Sequence, residues 1–200
     1  MIMQDSNILD SQALDTLFRS ARSHNGWLDK PVTDEQLRQV YDLMKWGPTS
    51  ANSCPARIVF VKTDEAKQRL KPSLQEGNID KSMTAPVVAI IGMDMEFYEE
   101  FDTLFPHADA KSWYVGKPEK IKEAAFRDSS LQAAYFMMAA RSVGLDCGPM
   151  SGFDNAVLDA EFFSDGRVKS NFICGLGYGD ESKLYPRLAR LEYERVCEVV

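Results

Sequence analysis

A short polar segment, residues 47–52, has the residue types that suit the binding of a planar polar ligand. It reads Gly-Pro-Thr-Ser-Ala-Asn, follows a helical pattern that stops at Gly47-Pro48, and precedes an apolar strand that begins near Arg57. Two hydroxyls, one carboxamide and several main-chain N–H groups come together here without bulk or charge. The same composition is also typical of an ordinary turn between a helix and a strand. By itself, therefore, the segment predicts a turn and leaves the ligand site open.

Basic side chains near both ends of the chain are candidates for binding a phosphate group. Arg19 and Arg22 lie near the end of the first helical pattern, and Lys183, Arg187 and Arg190 follow the last predicted strand. Guanidinium groups bind phosphate through paired hydrogen bonds, so these residues would enclose one phosphate if the C-terminal segment crosses to the first helix. The alternative is that each of them is an ordinary solvated surface residue.

Composition limits the class of protein and its partners. The formal charge of −7 disfavours nucleic acid and anionic membranes. No apolar stretch approaches the roughly 20 residues that span a bilayer. The four cysteines are widely spaced and only two histidines accompany them, which disfavours a metal cluster. The first six residues lack the basic start and apolar core of a signal peptide, so we expect a cytoplasmic protein with reduced thiols.

The elements that must position these residues form a single domain over residues 1–200. Helical spacing predicts a first helix from Leu9 to about residue 24, and Thr33 with Gln36 forms a capping-box pattern that opens a second helix. The buried stripe predicted for that second helix is Leu37, Val40, Tyr41 and Met44. Strands are predicted over 57–61, 86–93 and 170–179, with a long helix over 119–143. This order favours an α+β sandwich.

The order of the motifs over the whole chain resembles the nitroreductase superfamily. The motifs are a basic pair after the first helix, Gly-Pro-Thr-Ser-Ala-Asn before a strand, Thr84-Ala85-Pro86 before a buried strand, and the segment Gly144–Phe153 after a long helix. Within that superfamily, the segments Arg22–Trp27, Leu104–His107 and Pro149–Asp154 are similar to the malonic semialdehyde reductases of bacterial pyrimidine degradation.

This resemblance implies a central, mostly antiparallel sheet flanked by helices and an intertwined homodimer with FMN at the subunit interface, reduced by NAD(P)H. It also implies the cofactor-binding residues. Arg22 and His24 would hold the phosphate and ribityl chain, and the polar turn would approach from the second subunit. The full set of cofactor-binding residues that the resemblance implies is Arg22, His24, Pro48, Thr49, Ser50, Asn52, Pro149, Met150, Ser151, Gly152, Arg187 and Arg190. Pro149–Gly152 would present N–H groups near the reactive ring nitrogen. Two departures stand out, because Gly26 replaces a cation and Ser151 replaces an acidic residue that many relatives carry.

The expected reaction is the reduction of malonic semialdehyde to 3-hydroxypropanoate. Residues 96–114 are rich in aromatic side chains and are either a lid over the flavin or an ordinary capping hairpin. His107, Lys111 and Arg127 are candidates for binding the substrate carboxylate, and His107 is also a candidate proton donor. A broad reductase of nitroaromatics, quinones or enones is the alternative function. A flavin-binding module without turnover is a third interpretation.

Overall fold

Four antiparallel strands form the sheet that carries the rest of the fold. The computed structural model describes residues 8–200, so the first six residues, on which the expectation of no signal peptide rests, lie outside it. The strands are β1 Ala56–Val61, β2 Val87–Asp94, β3 Asp146–Met150 and β4 Val168–Gly177. Their order across the sheet is β1-β2-β4-β3, and every neighbouring pair is antiparallel. The predicted α+β architecture, with a mostly antiparallel sheet flanked by helices, is therefore confirmed.

The helices alternate with the strands and lie on both faces of the sheet. The α-helices are α1 Ser11–Leu14, α2 Asp34–Met44, α3 Asp64–Leu70, α4 Glu76–Thr84, α5 Phe101–Leu104, α6 Pro118–Ser142, α7 Asn155–Phe162 and α8 Tyr193–Val196. A π-helical segment spans Asp15–Arg19, and short 3₁₀ segments span Ser50–Asn52, Lys71–Ser73, Phe97–Glu100, Lys111–Trp113 and Glu181–Lys183. The predicted capping box at Thr33 and Gln36 is present at the start of α2, where each side chain bonds the other residue's main-chain N–H.

Three apolar clusters form the core. One lies between the sheet and helices α2 and α6 and includes Val40 and Phe136, and a second lies on the opposite face under α3 and α7 and includes Leu70 and Leu158. A third, aromatic cluster is formed by residues 97–125 beside one end of the sheet. Strand β2 is almost entirely buried because it has a neighbouring strand on each side and a cluster on each face.

The structure corrects three details of the predicted elements. The first helix ends at Arg19, because the chain beyond it runs alongside the sheet, where Ser23 bridges Cys147. Tyr41 was predicted to be buried, but 53% of it is exposed, since α2 packs on α6 through the other members of its stripe. Residues 146–150, where no strand was predicted, form β3.

Two special features are absent from the part of the chain that the structure describes. Within residues 8–200, no helix combines the length and the apolar character that crossing a membrane requires. The same residues contain no cluster of three or more His, Cys, Asp or Glu side chains arranged to hold a metal ion.

Candidate functional site

The polar turn between α2 and β1 has an unusual backbone. Three residues other than glycine, Ala51, Asn52 and Cys54, adopt left-handed conformations, with φ of 50°, 52° and 42°. Each such residue costs on the order of 1–3 kcal/mol and persists only where the surroundings hold it. Strained backbone of this kind is concentrated at ligand sites, so the turn is a candidate site on conformational grounds as well.

Side chains of the turn are used to hold its own shape. The Ser50 hydroxyl donates to Asp128 Oδ1 at 3.2 Å, and the Asn52 amide donates to the Leu104 carbonyl at 2.9 Å. The Thr49 hydroxyl accepts the N–H of Cys54 at 3.2 Å. These three side chains are therefore engaged within the protein.

The N–H groups of residues 49, 50 and 51 make no hydrogen bond with any group in residues 8–200. They are consecutive, and the residues that carry them are exposed or half-buried, as is Pro48 before them. Consecutive free N–H groups form a concave surface that binds acceptor atoms or anions. The predicted turn residues thus form a plausible ligand surface through their backbone rather than through their hydroxyls.

The arginine at the start of β1 anchors the end of this turn. Arg57 donates to the carbonyl of Cys54 at 3.0 Å and to Asp94 Oδ2 at 2.6 Å. Asp94 is fully buried at the end of β2 and also accepts two bonds from Arg167, at 2.7 and 2.8 Å. Burial by itself raises the pKa of Asp94, but the bonds from Arg167 and from the Glu96 N–H, together with the charge of Arg57, lower it below its ordinary value.

A second candidate surface lies where β3 ends. Pro149 and Met150 belong to the strand and pair with β4, whereas Ser151 and Gly152 leave it. The N–H groups of Ser151 and Gly152 make no hydrogen bond within residues 8–200. Pro149 has no N–H, so the donors expected from this segment come from its last two residues. The Gly152 carbonyl is fixed by Asn78 Nδ2 at 2.7 Å and by the Gln75 N–H at 3.1 Å.

Helix α4 adds two residues to this surface that the sequence analysis missed. Asn78 bonds Gly152, and the Ser82 hydroxyl lies 3.5 Å from the sulfur of Met150. Lys81 lies between these two contact residues in the sequence of the helix. Lys81 is half-buried, burial lowers its pKa, and it takes part in none of the ion pairs formed by residues 8–200. A desolvated ammonium without an acidic partner suits an anionic ligand.

His24 lies behind the β3 surface in a buried position. Its Nε2 is 3.3 Å from Asp146 Oδ1, and the other carboxylate oxygen of Asp146 accepts the Gly179 N–H at 2.8 Å. Burial by itself raises the pKa of Asp146, but these two bonds and the nearby charges lower it. The Nδ1 atom of His24 is buried and has no partner within the described residues. Its role toward a ribityl chain stays a prediction.

The C-terminal segment does cross to the end of the first helix. The Arg22 guanidinium donates to the Tyr185 carbonyl, and Arg187 donates to the carbonyls of Arg19 and Ala21 at 2.9 and 2.8 Å. The structure therefore brings Arg22 and Arg187 to one crossing, although both already bond main-chain carbonyls there. Arg190 is exposed and bonds only carbonyls of its own segment.

The position of Gly26 is covered by a lysine from the same C-terminal region. A Cβ atom at Gly26 would lie 2.6 Å from Cγ of Lys183, and the main chain is fixed here by a bond from the Asp180 N–H to the Gly26 carbonyl at 3.0 Å. The side chain missing at residue 26 is thus replaced by the stem of a lysine.

Of the residues proposed for substrate binding, His107 and Lys111 lie in the aromatic segment between β2 and α6, and Arg127 lies in α6. His107 is exposed, and its ring centroid is 3.9 Å from that of Phe105. Lys111 is paired with Glu99 at 2.5 Å, a bond that raises its pKa, and Arg127 is paired with Glu123. Both candidate cations are therefore neutralised by carboxylates within the described residues.

The two candidate surfaces lie at opposite edges of the sheet. The turn leads into β1, the other surface ends β3, and β2 and β4 separate these strands. At the usual spacing of about 4.8 Å between strands, β1 and β3 are about 14 Å apart. Arg22, His24 and residues 150–152 share one edge, and residues 48–52 occupy the other.

Comparison with known proteins identifies the family. The family model described as the nitroreductase family matches residues 18–178. The chain belongs to the nitroreductase family. A protein of Polynucleobacter asymbioticus, provisionally named an NADH dehydrogenase/NAD(P)H nitroreductase, is 55% identical over 195 residues, which cover 98% of this chain and all of that protein.

Solved structures of low sequence identity share the nitroreductase fold. One, a provisionally named nitroreductase of Bacillus subtilis, has a TM-score of 0.86 at 22% identity and covers 96% of this chain and 100% of its own. Another, from Exiguobacterium sibiricum, was solved in complex with FMN and has a TM-score of 0.83 at 18% identity, covering 96% of this chain and 98% of its own. The fold and the family agree with the resemblance seen in the motifs.

Proposed function

We propose that this chain binds FMN and uses NAD(P)H to reduce malonic semialdehyde to 3-hydroxypropanoate in the cytoplasm. The observation that carries the cofactor assignment is the surface at the end of β3, where the N–H groups of Ser151 and Gly152 have no partner within residues 8–200. Helix α4, which bonds Gly152 through Asn78, carries the half-buried Lys81. A flavin ring presents acceptor atoms along one edge and becomes anionic there on reduction. Free main-chain donors and an unpaired ammonium therefore fit it.

Each part of the site has a separate task in this proposal. FMN, when bound, would supply the redox chemistry by accepting a hydride from NAD(P)H and passing it to the carbonyl carbon. Ser151, Gly152 and Lys81 would hold its polar edge, and Arg22 with Arg187 would lie near its phosphate. The turn over residues 48–52 would present its free N–H groups from the other side. His107 is exposed to solvent. Water is therefore as suitable as His107 as the source of the proton that the product hydroxyl needs.

The site as a whole would require two copies of the chain, because its halves occupy opposite edges of the sheet. The free edge of β1 lines a groove of about 1060 Å³ whose apolar side chains include Leu37, Ile58 and Phe60. Residues 185–200, here called the arm, leave seven large apolar side chains at least 58% exposed, namely Tyr185, Leu188, Leu191, Tyr193, Val196, Val199 and Val200. An exposed apolar arm and a partly apolar groove beside an edge strand suit each other, which supports the homodimer.

Removal of the arm tests this assembly. A chain ending at Leu184 should elute as a monomer, whereas the full chain should have the mass of a dimer by light scattering. A full-length monomer that retains FMN would exclude a site shared between two subunits.

Similarity of three short motifs to malonic semialdehyde reductases supports the narrow substrate assignment. The name of the 55% identical relative favours a second candidate, a nitroreductase of broad specificity. Steady-state kinetics with FMN and NAD(P)H at fixed concentration separates the two. The narrow assignment expects kcat/KM for malonic semialdehyde to exceed that for a nitroaromatic compound and a quinone by at least about 100-fold, or roughly 3 kcal/mol of transition-state discrimination. Equal values, or a preference for the nitro compound, would replace it by the broad reductase.

A further inference from the structure

Asp128, in the middle of α6, has an environment that the proposed function does not explain. The residue is fully buried, yet it takes part in no ion pair among residues 8–200. Its two oxygen atoms accept one hydroxyl each, Oδ1 from Ser50 at 3.2 Å and Oδ2 from Ser53 at 2.8 Å. Both serines belong to the strained turn.

A buried carboxylate with only two neutral donors is expensive to maintain. An alanine or leucine on this face of α6 would fill the core at lower cost, so stability alone does not account for an acid here. Asp128 is also joined to the turn at two points that lie on either side of the left-handed residues Ala51 and Asn52. The two bonds therefore span the strained part of the backbone and restrain it from both sides.

The next turn of α6 extends the same arrangement. Gln132, four residues after Asp128 and also buried, accepts the N–H of Ala56 at 2.8 Å. Residues i and i+4 of a helix lie on one face, so the two side chains form a polar strip that follows the turn from residue 50 to the start of β1. The Ser50 hydroxyl bonds the helix, and the Ser50 main-chain N–H makes no hydrogen bond within residues 8–200.

We propose that Asp128 is a positioning residue that holds the turn over residues 49–54 in its left-handed conformation, so that the N–H groups of Thr49, Ser50 and Ala51 stay directed at the ligand. This inference rests on the proposed function in so far as the ligand is FMN. The role is carried by hydrogen-bond geometry and does not need the negative charge. An asparagine at residue 128 can accept a bond from one serine and donate to the other, so it keeps both contacts.

Four variants test the proposal. Asp128→Ala removes both contacts, Asp128→Asn keeps them, and Ser53→Ala removes the shorter one without altering a residue implied in cofactor binding. Ser129→Ala is the matched control, because Ser129 is equally buried on the same helix but bonds Asn171 and Phe126 instead of the turn. For each protein, amide hydrogen exchange of residues 52–56, whose N–H groups are hydrogen-bonded, is measured without FMN, and the Kd for FMN is measured by flavin fluorescence.

The expected pattern separates positioning from general destabilisation. Asp128→Ala should accelerate exchange in the turn and raise the Kd for FMN, each by about 30-fold, as the loss of two hydrogen bonds of ordinary net strength predicts. Ser53→Ala should change both by about 5-fold, and Asp128→Asn and Ser129→Ala should remain within about 3-fold of the unsubstituted protein. If Asp128→Ala does not fold, the Ser53→Ala and Asp128→Asn pair decides the same question.

Two results would overturn the proposal. One is unchanged exchange in residues 52–56 of Asp128→Ala or, where only the second pair can be studied, of Ser53→Ala. The other is a loss of FMN affinity in Asp128→Asn as large as that in Asp128→Ala or Ser53→Ala. Failure of the unsubstituted protein to bind FMN would instead refute the proposed function, and the exchange data without cofactor would then decide the role of Asp128 alone.

Discussion

Replacement of Gly179 by alanine tests the packing of His24 against the end of β4. A Cβ atom at residue 179 would lie 1.9 Å from Nδ1 and 2.3 Å from Cγ of the buried imidazole. Ordinary contacts between heavy atoms are about 3.5–4.0 Å, so the ring must move by more than about 1.5 Å. The exposed fraction of His24 is only 5%, which leaves it little free space.

The expected loss of stability follows from two effects. Overfilling a packed region costs about 1–3 kcal/mol. A displaced His24 also loses its contact with Asp146, which adds about 1 kcal/mol for one hydrogen bond. The free energy of unfolding should therefore fall by about 2–4 kcal/mol, and the melting temperature by about 5–15 °C for a chain of this size.

Urea unfolding followed by circular dichroism measures this change, and Gly77→Ala is the matched control. No atom lies within 4 Å of the Cβ position at Gly77, which is in the first turn of α4. That substitution should stabilise the protein by up to about 0.5–1 kcal/mol, because alanine has less conformational freedom to lose than glycine. A Gly179→Ala protein as stable as the Gly77→Ala protein would refute the close packing of His24 on Gly179.

Three further predictions concern titration and reactivity. Burial raises the pKa of Asp94 and pairing with Arg167 lowers it, and the net result is a lowered pKa. The Asp94 carboxylate therefore stabilises the fold above about pH 4, and this contribution is lost as the pH falls through the lowered pKa. Asp94→Asn should flatten the dependence of unfolding free energy on pH below about pH 4, and an unchanged slope would contradict this. Lys81→Met should weaken FMN binding by about 10-fold and lower the flavin reduction potential, because it removes a cation that would stabilise the anionic reduced flavin. An unchanged potential, measured by dye equilibration, would exclude Lys81 from the flavin edge. Cys147 and Cys174 are buried, and the interaction with Cys147 together with burial raises the pKa of Cys174 well above its usual value. A thiol reagent should therefore label only Cys54 and Cys197 in the native protein. Labelling of all four at the same rate would contradict the packing of β3 on β4.

Elements with long and consistent patterns were predicted well from the sequence. Helix α6 has apolar positions at helical spacing, and strand β2 is a β-branched run. Both lie within a residue or two of their predicted bounds. Strand β3 was missed because Asp-Cys-Gly-Pro-Met has weak strand preference and reads as a turn. Its pairing with β4 is determined by tertiary contacts, and Gly148 opposite Gly175 makes room there for the ring of Trp27.

The candidate site was predicted in its segments but not in its internal arrangement. Local composition identified the turn over 47–52, because small polar residues are concentrated there, whereas the segment over 149–152 was implied by the family resemblance. The sequence could not distinguish hydroxyls that face a ligand from hydroxyls that bond Asp128. An acidic residue on a helix resembles a solvated residue until burial is known. Helix α4, which carries Asn78 and Lys81, was not predicted. Gln75 makes no side-chain cap, Gly77 disfavours a helix, and only the spacing of Ile79 and Met83 indicates one.

The central claim is that this member of the nitroreductase family binds a flavin that NAD(P)H reduces. An anaerobic absorbance titration of the purified, FMN-reconstituted protein tests it directly. The proposal predicts one FMN per chain, bleaching of the flavin band near stoichiometric NADH or NADPH, and recovery of the band when malonic semialdehyde is added. A protein that takes up no FMN, or whose bound FMN is not bleached by either nucleotide, would contradict the claim.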